Sequence, residues 1–176
     1  MASKKLFVKR SGIAGYGLFA DEPIKKGEIL MFWMCDANLL TEDEYNERQA
    51  KEDRQIIDTG ARYAGNLFLY TDSGPGKDRY ENYINHSFDS NVLYHCGICF
   101  AMRDIAVGEE LTTDYTYILS ENDKESFHDA FTNKIVKGIP WLDCIRDTTK
   151  KLTKILDDIK ELPTLHDINL FCTKTD

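Results

Sequence analysis

Three short stretches hold the residue types that could do chemistry. The first, Gly15-Tyr16-Gly17-Leu18-Phe19-Ala20, fits the Gly-x-Gly-x-x-Ala pattern of a dinucleotide-binding turn. That turn has to open a helix after a strand. Here Pro23 and Gly27 follow at once and the next segment alternates toward a strand, so a Rossmann crossover does not fit. What remains is a glycine pair that lets the backbone come close to another group, with a structural loop as the default. The second stretch, Tyr83-Ile84-Asn85-His86-Ser87-Phe88-Asp89-Ser90-Asn91, sets polar side chains behind an apolar pair. A lone histidine such as His86 is most often structural, and neither His95 nor Cys96-Gly97-Ile98-Cys99 stands at a recognisable metal-ligand spacing from it. The third runs from Gly108 through Glu109-Glu110-Leu111-Thr112-Thr113-Asp114 to Tyr115-Thr116-Tyr117. On an extended segment Tyr115 and Tyr117 would face the same side, as packing residues or as part of a site.

Taken together and in this order, the three stretches closely resemble the SET-domain protein lysine methyltransferases: Gly-x-Gly with Leu-Phe-Ala, then Asn-His-Ser, then Glu-Glu-Leu-Thr-x-Asp-Tyr. The resemblance covers roughly residues 4 to 118. It implies methyl transfer from S-adenosylmethionine to the side-chain amine of a lysine in a protein, a basic histone tail being one candidate substrate. By the same match, Gly15, Tyr16, Gly17, Asn85 and His86 are the implied cofactor-binding residues and Tyr115 is the implied catalytic residue. Tyr117, Thr113 and Tyr63 are candidates for the substrate channel. The implied fold is α+β and β-rich, a set of small curved sheets in which the Asn-His-Ser segment and the final tyrosine segment are threaded as a pseudoknot.

The chemistry can be argued physically. In-line attack on a sulfonium methyl needs a neutral amine, and a lysine of pKa about 10.4 lies about 3 units, or about 4 kcal/mol, from that form near neutral pH. A narrow, dry, aromatic channel disfavours the ammonium and narrows the gap. Tyrosine, with a pKa near 10, is a poor base at neutral pH, so Tyr115 is assigned to orienting the reactants by hydrogen bonding.

Departures from the family pattern carry information. Many members place a cysteine directly after Asn-His-Ser, where it joins a cysteine tail around zinc. Here that position is Phe88, and no Cys-x-Cys follows Tyr117, so no metal is expected. Residues 119–176 are instead expected to close the substrate channel as a helical extension. Trp141 and Phe131 are expected to pack in the core, with stacking on adenine as the alternative. Thr113 stands where members often carry a phenylalanine or tyrosine, which implies room for more than one methyl group. Asn82 stands where an arginine is frequent, which puts cofactor affinity in doubt.

These stretches need elements to position them. Lys5–Val8, Ile29–Met34, Leu67–Thr71, Val92–Tyr94 and Ile98–Met102 are rich in aromatic and β-branched residues and predict strands. A turn pattern occurs twice, as Ile24-Lys25-Lys26-Gly27-Glu28 and Ile105-Ala106-Val107-Gly108-Glu109, and Ser73-Gly74-Pro75-Gly76 predicts another turn. Thr41 to Ile57, opened by a Thr41/Glu44 capping box, predicts a polar helical insertion. Helices are also predicted over Ser120–Val136 and Trp141–Leu162, the latter with an apolar stripe of Leu142, Ile145, Leu152, Ile155, Leu156 and Ile159. The division expected is a SET domain over 1–118 and the helical extension beyond it.

Composition bounds the rest. The formal net charge is −8, which argues against non-specific nucleic-acid binding and suits a basic partner. Five cysteines at irregular spacing are no disulfide framework. The Cys96/Cys99 pair lacks the second pair that a zinc site needs and is expected on strands. The longest purely apolar run, Ile29–Cys35, is too short to span a bilayer, and no basic segment followed by an apolar one opens the chain. An intracellular protein, cytoplasmic or nuclear, is therefore expected. Two functional readings stay open, an active methyltransferase and a catalytically inactive SET-like module that binds protein. A homodimer is an option by analogy with small stand-alone members.

Overall fold

The structure is a computed structural model, and it describes residues 6–33, 37–71, 79–123 and 127–159. The predicted turn at Ser73–Gly76, the cysteines 35 and 172, and everything beyond residue 159 lie outside the described residues.

Seven of the described strands form one sheet: β1 (Leu6–Arg10), β2 (Tyr16–Ala20), β3 (Ile29–Phe32), β7 (Asn85–His86), β8 (Val92–His95), β9 (Ile98–Ala101) and β10 (Glu110–Thr113). Their order is β1-β2-β10-β8-β9-β3, with β7 beside β10. The pivot is β10. Its first two residues pair antiparallel with β2, Glu110 opposite Phe19 and Leu111 opposite Leu18. Its last two run parallel to β7, Thr112 opposite Asn85 and Thr113 opposite His86. One four-residue strand thus holds the first chemical stretch on one side and the second on the other.

The core explains why these short strands hold. Leu18, Ile24, Leu111 and Ala101 have no exposed surface, and Ile84, Val92, Leu93 and Ile105 have almost none. The two repeated turns serve this core as a pair. Ile24 and Ile105 exchange both backbone hydrogen bonds, at 3.0 and 2.9 Å. Gly27 and Gly108 then take φ of +84° and +78°, a conformation glycine adopts without Cβ strain. The Cys96/Cys99 pair splits. Cys99 is buried on β9, but Cys96 and Gly97 form the two-residue turn between β8 and β9, both with positive φ, as the twist of a tight hairpin demands.

The stretch predicted as helical, Thr41–Ile57, forms two short helices with a break between Ala50 and Arg54. β4 (Asn38–Thr41), α1 (Glu42–Ala50), α2 (Arg54–Thr59), β5 (Ala61–Ala64) and β6 (Leu67–Tyr70) make a second, three-stranded sheet covered by two short helices. The capping box forms at Thr41, whose backbone N–H donates to Glu44 Oε2 at 2.8 Å. Tyr45 stacks on Phe68 with ring centroids 4.1 Å apart, giving this layer its own small core with Ile56.

The extension departs from expectation. Over the described part of Ser120–Val136 the chain forms a hairpin, β11 (Phe127–His128) with β12 (Ile135–Val136), not a helix. The reason lies in its short polar side chains, which bind nearby backbone donors in turns and so compete with a helix. Asp123 accepts from Ser120 N at 2.7 Å, and Asp129 accepts from Thr132 N at 2.7 Å. Helix α3 (Trp141–Asp157) follows as predicted, but with a partly different buried face. Of the expected stripe, Ile155 is buried and Ile145, Leu152 and Ile159 are partly buried, but Leu142 and Leu156 stay 61% and 40% exposed, and Cys144 and Thr148 complete the buried face. Small Cys144 and Thr148 let the helix seat closely. Thr148 Oγ1 donates to Cys144 O at 2.8 Å and so accepts from His95 Nδ1 at 2.9 Å, which ties α3 to β8.

Candidate active site

The glycine loop is held by side chains from the other two stretches. Asn85 Nδ2 lies 3.2 Å from both Ala14 O and Tyr16 O and 2.8 Å from Glu110 Oε1. The same Glu110 oxygen accepts from Ser11 Oγ at 2.7 Å. Glu110 also fixes the second glycine: a Cβ on Gly17 would fall 2.2 Å from Glu110 Oε1. Gly15 is needed for its backbone, with φ of +46° and open space around it. Tyr16 contributes its carbonyl, while its ring is 50% exposed under the Arg10 guanidinium, 4.7 Å from the ring centroid.

Asn91 binds the second and third stretches together. Its Oδ1 accepts from Thr112 N at 2.9 Å, and its Nδ2 donates to Glu110 O at 2.8 Å and Glu109 Oε1 at 2.9 Å. Ser87 N donates to Thr113 O at 3.1 Å. These bonds set side by side the two segments of the expected pseudoknot. Neither Glu110 nor Asn91 was singled out from the sequence, because a carboxylate at a strand start and an asparagine in a turn are ordinary there. The one signal was their place inside the second and third stretches.

Tyr115 opens a 3-10 turn, Tyr115–Tyr117, rather than continuing the extended strand. Asp114 stops the strand by accepting from Thr116 N at 3.0 Å. With three residues per turn, positions two apart no longer share a face, so the two tyrosines diverge. Tyr115 donates its hydroxyl to Ile84 O at 2.8 Å and its backbone N–H to His86 Nδ1 at 3.1 Å. Its ring lies 5.3 Å from His86 and meets Phe127 of the hairpin edge-on at 5.8 Å. Tyr117 instead donates to Asp147 on α3. Burial and then the Asp147 carboxylate hold its hydroxyl far above the usual tyrosine range. Thr113 is fully buried, with an unpartnered Oγ1. Tyr63 packs half-buried at the edge of the main core, on β5, whose Arg62 N donates to Ile118 O at 2.7 Å.

Burial governs the electrostatics. It pushes the Tyr115 hydroxyl up to about 12. It also lowers the pKa of His86, against the opposing charges of Asp114 and Asp129 and the Thr113 carbonyl. Tyr115 is therefore a neutral hydrogen-bonding group at neutral pH, and His86 a neutral imidazole.

A cavity of about 750 Å³ opens beside these residues, walled by Gly12, Ile13, Ser87, Phe88, Asp129 and Phe131 among others. The glycine pair, His86 and Tyr115 are not part of its wall. Phe131, expected in the core, is 71% exposed at this cavity. Among the described residues no group of three or more His, Cys, Asp or Glu is placed to hold a metal ion, and no helix is long and apolar enough to cross a membrane.

The chain is 33% identical over 125 residues to the variant-silencing SET domain-containing protein of Plasmodium falciparum, across 65% of this chain and 5% of that one. It is 31% identical over 125 residues to the histone-lysine N-methyltransferase MEDEA of Arabidopsis thaliana, across 65% and 17%. It is 28% identical over 166 residues to the histone-lysine N-methyltransferase Su(var)3-9 of Drosophila melanogaster, across 84% and 24%. The chain thus spans a quarter or less of the length of these relatives. In fold it is similar to ctPRC2 in an autoinhibited conformation bound to S-adenosylmethionine, with a TM-score of 0.51 and 20% identity over 93% of this chain and 24% of that one. The SET domain family model matches residues 15–116, which take in the first two stretches and the third up to Thr116, and the chain belongs to the SET-domain family.

Proposed function

We propose that this chain transfers a methyl group from S-adenosylmethionine to the side-chain amine of lysine in a protein substrate. The observation that carries this reading is the convergence of three distant stretches on one hydrogen-bonded unit. Asn85 and Glu110 fix the glycine loop, and His86 fixes Tyr115. Relatives named as histone-lysine N-methyltransferases support the reaction class. With the net charge of −8 they favour a basic tail such as a histone's, and hence action in the nucleus.

The residues present fit the cofactor. The 750 Å³ cavity has the volume of a small-molecule site, with aromatic faces from Phe88 and Phe131 and polar groups from Ser87, Asn91 and Asp129 in its wall. The backbone of Gly15, Tyr16 and Gly17, with Asn85 and His86, would hold it, and Phe131 at the cavity wall is placed to stack on an adenine. S-adenosylmethionine supplies, when bound, an electrophilic methyl group on a sulfonium. Tyr115 stays protonated, so its hydroxyl orients the amine and does not take its proton. The buried aromatic surroundings of Tyr115 favour the neutral amine over the ammonium. The extension acts as a wall of the site through Phe127 and the hairpin.

The test is incubation with radiolabelled S-adenosylmethionine and a mixture of histones and other basic proteins, with cofactor binding read by calorimetry. Transfer of label is expected, and Tyr115→Phe should lower it by about 10²-fold or more, the scale of a lost positioning contact, with the fold retained. No transfer and no cofactor binding would leave the protein-binding module as the reading.

A further inference from the structure

Two buried polar atoms face each other at the site without partners. His86 Nε2 and Asp129 Oδ2 stand 3.7 Å apart, beyond hydrogen-bond reach, and neither meets another hydrogen-bonding atom at normal geometry. Their residues are 7% and 1% exposed. Buried polar atoms are nearly always paired, so each exception calls for a cause.

The far edge of the ring supplies one. The Tyr115 backbone N–H is directed at His86 Nδ1, so Nδ1 must be an acceptor. A neutral imidazole with an acceptor at Nδ1 carries its proton on Nε2, the atom that faces Asp129. The other Asp129 oxygen is already committed, since Oδ1 accepts from Thr132 N at 2.7 Å and Thr132 Oγ1 at 2.6 Å. The turn of the hairpin thereby aims Oδ2 at the ring. Hydrogen bonds from the Thr132 hydroxyl and backbone keep the carboxyl ionised below the usual carboxylate range.

We infer that Asp129 is a positioning residue that fixes the Nε2–H tautomer of His86, leaving Nδ1 free to hold the Tyr115 backbone. Contact requires the hairpin to close by under about 1 Å toward the ring. Asp129 lies outside residues 15–116 matched by the family model, so this chain's own extension supplies it. The catalytic consequence rests on the methyltransferase reading, whereas the tautomer does not. The groups facing the ring are Asp114, Asp129, the Thr113 carbonyl and the rings of Phe88 and Tyr115. Protonating His86 would satisfy Asp129 but set an N–H at Nδ1 against the Tyr115 N–H. Transfer should therefore fall on the acid side.

Asp129→Asn tests this with little change of shape. Its Oδ1 can still accept from Thr132, so the hairpin keeps its turn, and an NH2 group replaces Oδ2. A donor facing Nε2 drives the ring proton to Nδ1. With ¹⁵N-labelled histidine, the wild type should show the Nε2–H tautomer at His86 and Asp129→Asn the Nδ1–H tautomer. In the variant kcat should fall about tenfold or more, its acid limb should shift, and cofactor affinity should change less, as for a lost orienting contact. Lys134→Ala, which removes an exposed side chain from the same hairpin, should keep the wild-type tautomer and turnover. An Nδ1–H tautomer in the wild type overturns the inference, and so does an Asp129→Asn variant with unchanged tautomer and rate. If the wild type methylates nothing, the methyltransferase reading fails on its own, and the spectrum still decides the tautomer.

Discussion

At the scale of single residues, the site is built on atoms that leave no room for substitution. Gly17 is the clearest case. A methyl group there would stand 2.2 Å from Glu110 Oε1 and 2.8 Å from the carboxyl carbon. Glu110 cannot swing away without releasing Ser11 and Asn85, which both donate to that oxygen. Gly17→Ala should therefore loosen the loop where the cofactor is proposed to lie. Calorimetry should show cofactor affinity reduced by about tenfold or more, the equivalent of about 1.4 kcal/mol, with the melting temperature little changed. Gly12→Ala provides the contrast. Its Cβ would meet nothing within 4 Å and its φ is not positive, so the bonds from Ser11 and Asn85 to Glu110 should stay intact in this variant.

At the scale of elements, the extension is locked to the SET core by a backbone crossing. A Cβ on Gly138 would fall 2.4 Å from Leu119 O and from Ser120 C and O, main-chain atoms held by the Tyr115–Tyr117 turn and by the Asp123 cap. Arg62, buried on β5, reaches the same crossing by donating to Ile139 O at 2.6 Å. Gly138→Ala must push two chain segments apart, so it should destabilise the fold by about 1–3 kcal/mol, a melting temperature lower by about 2–12 °C at this chain length. A melting curve that superimposes on the wild type would remove this lock. The hairpin shows why this part of the fold was hard to read beforehand. The strands around β8, β9 and β6 follow from runs of aromatic and β-branched residues, and α1 from its capping box, all local signals. The stretch from Ser120 to Val136 carries helical composition, but its outcome depends on Asp123, Asp129 and Asn133 forming turns that only a packed neighbour selects. For the site, the glycine pair, Asn85, His86 and Tyr115 were legible because they lie in ordered motifs. Glu110, Asn91 and Asp129 act on partners 18 to 99 residues away along the chain, and no single-sequence period reports such pairings.

At the scale of the whole molecule, stability should depend on pH through His86 and His95, both of them largely covered by the fold. Burial lowers the pKa of both His86 and His95 below the ordinary 6.5. His95 is tied to α3 through Thr148, and His86 to the Tyr115 turn. In the unfolded chain both titrate near 6.5, so from about that pH downward the unfolded state binds more protons than the native one. Stability therefore rises with pH across this window, and is lost as pH falls from the unfolded pKa toward the lower folded values. Glu81 and Asp123 act with the opposite sign. Burial raises their carboxyl pKa values, so they favour the native state as pH falls, but only from their raised values down toward the usual carboxylate range. Melting temperatures measured from about pH 7.5 to about pH 5.5 should fall on acidification. His95→Gln, which removes one titrating group and can still donate to Thr148, should flatten that slope. An unchanged slope in His95→Gln would show that the α3 contact is not where the protons act. A wild-type melting temperature that rises on acidification would mean that the two carboxyl groups outweigh the histidines.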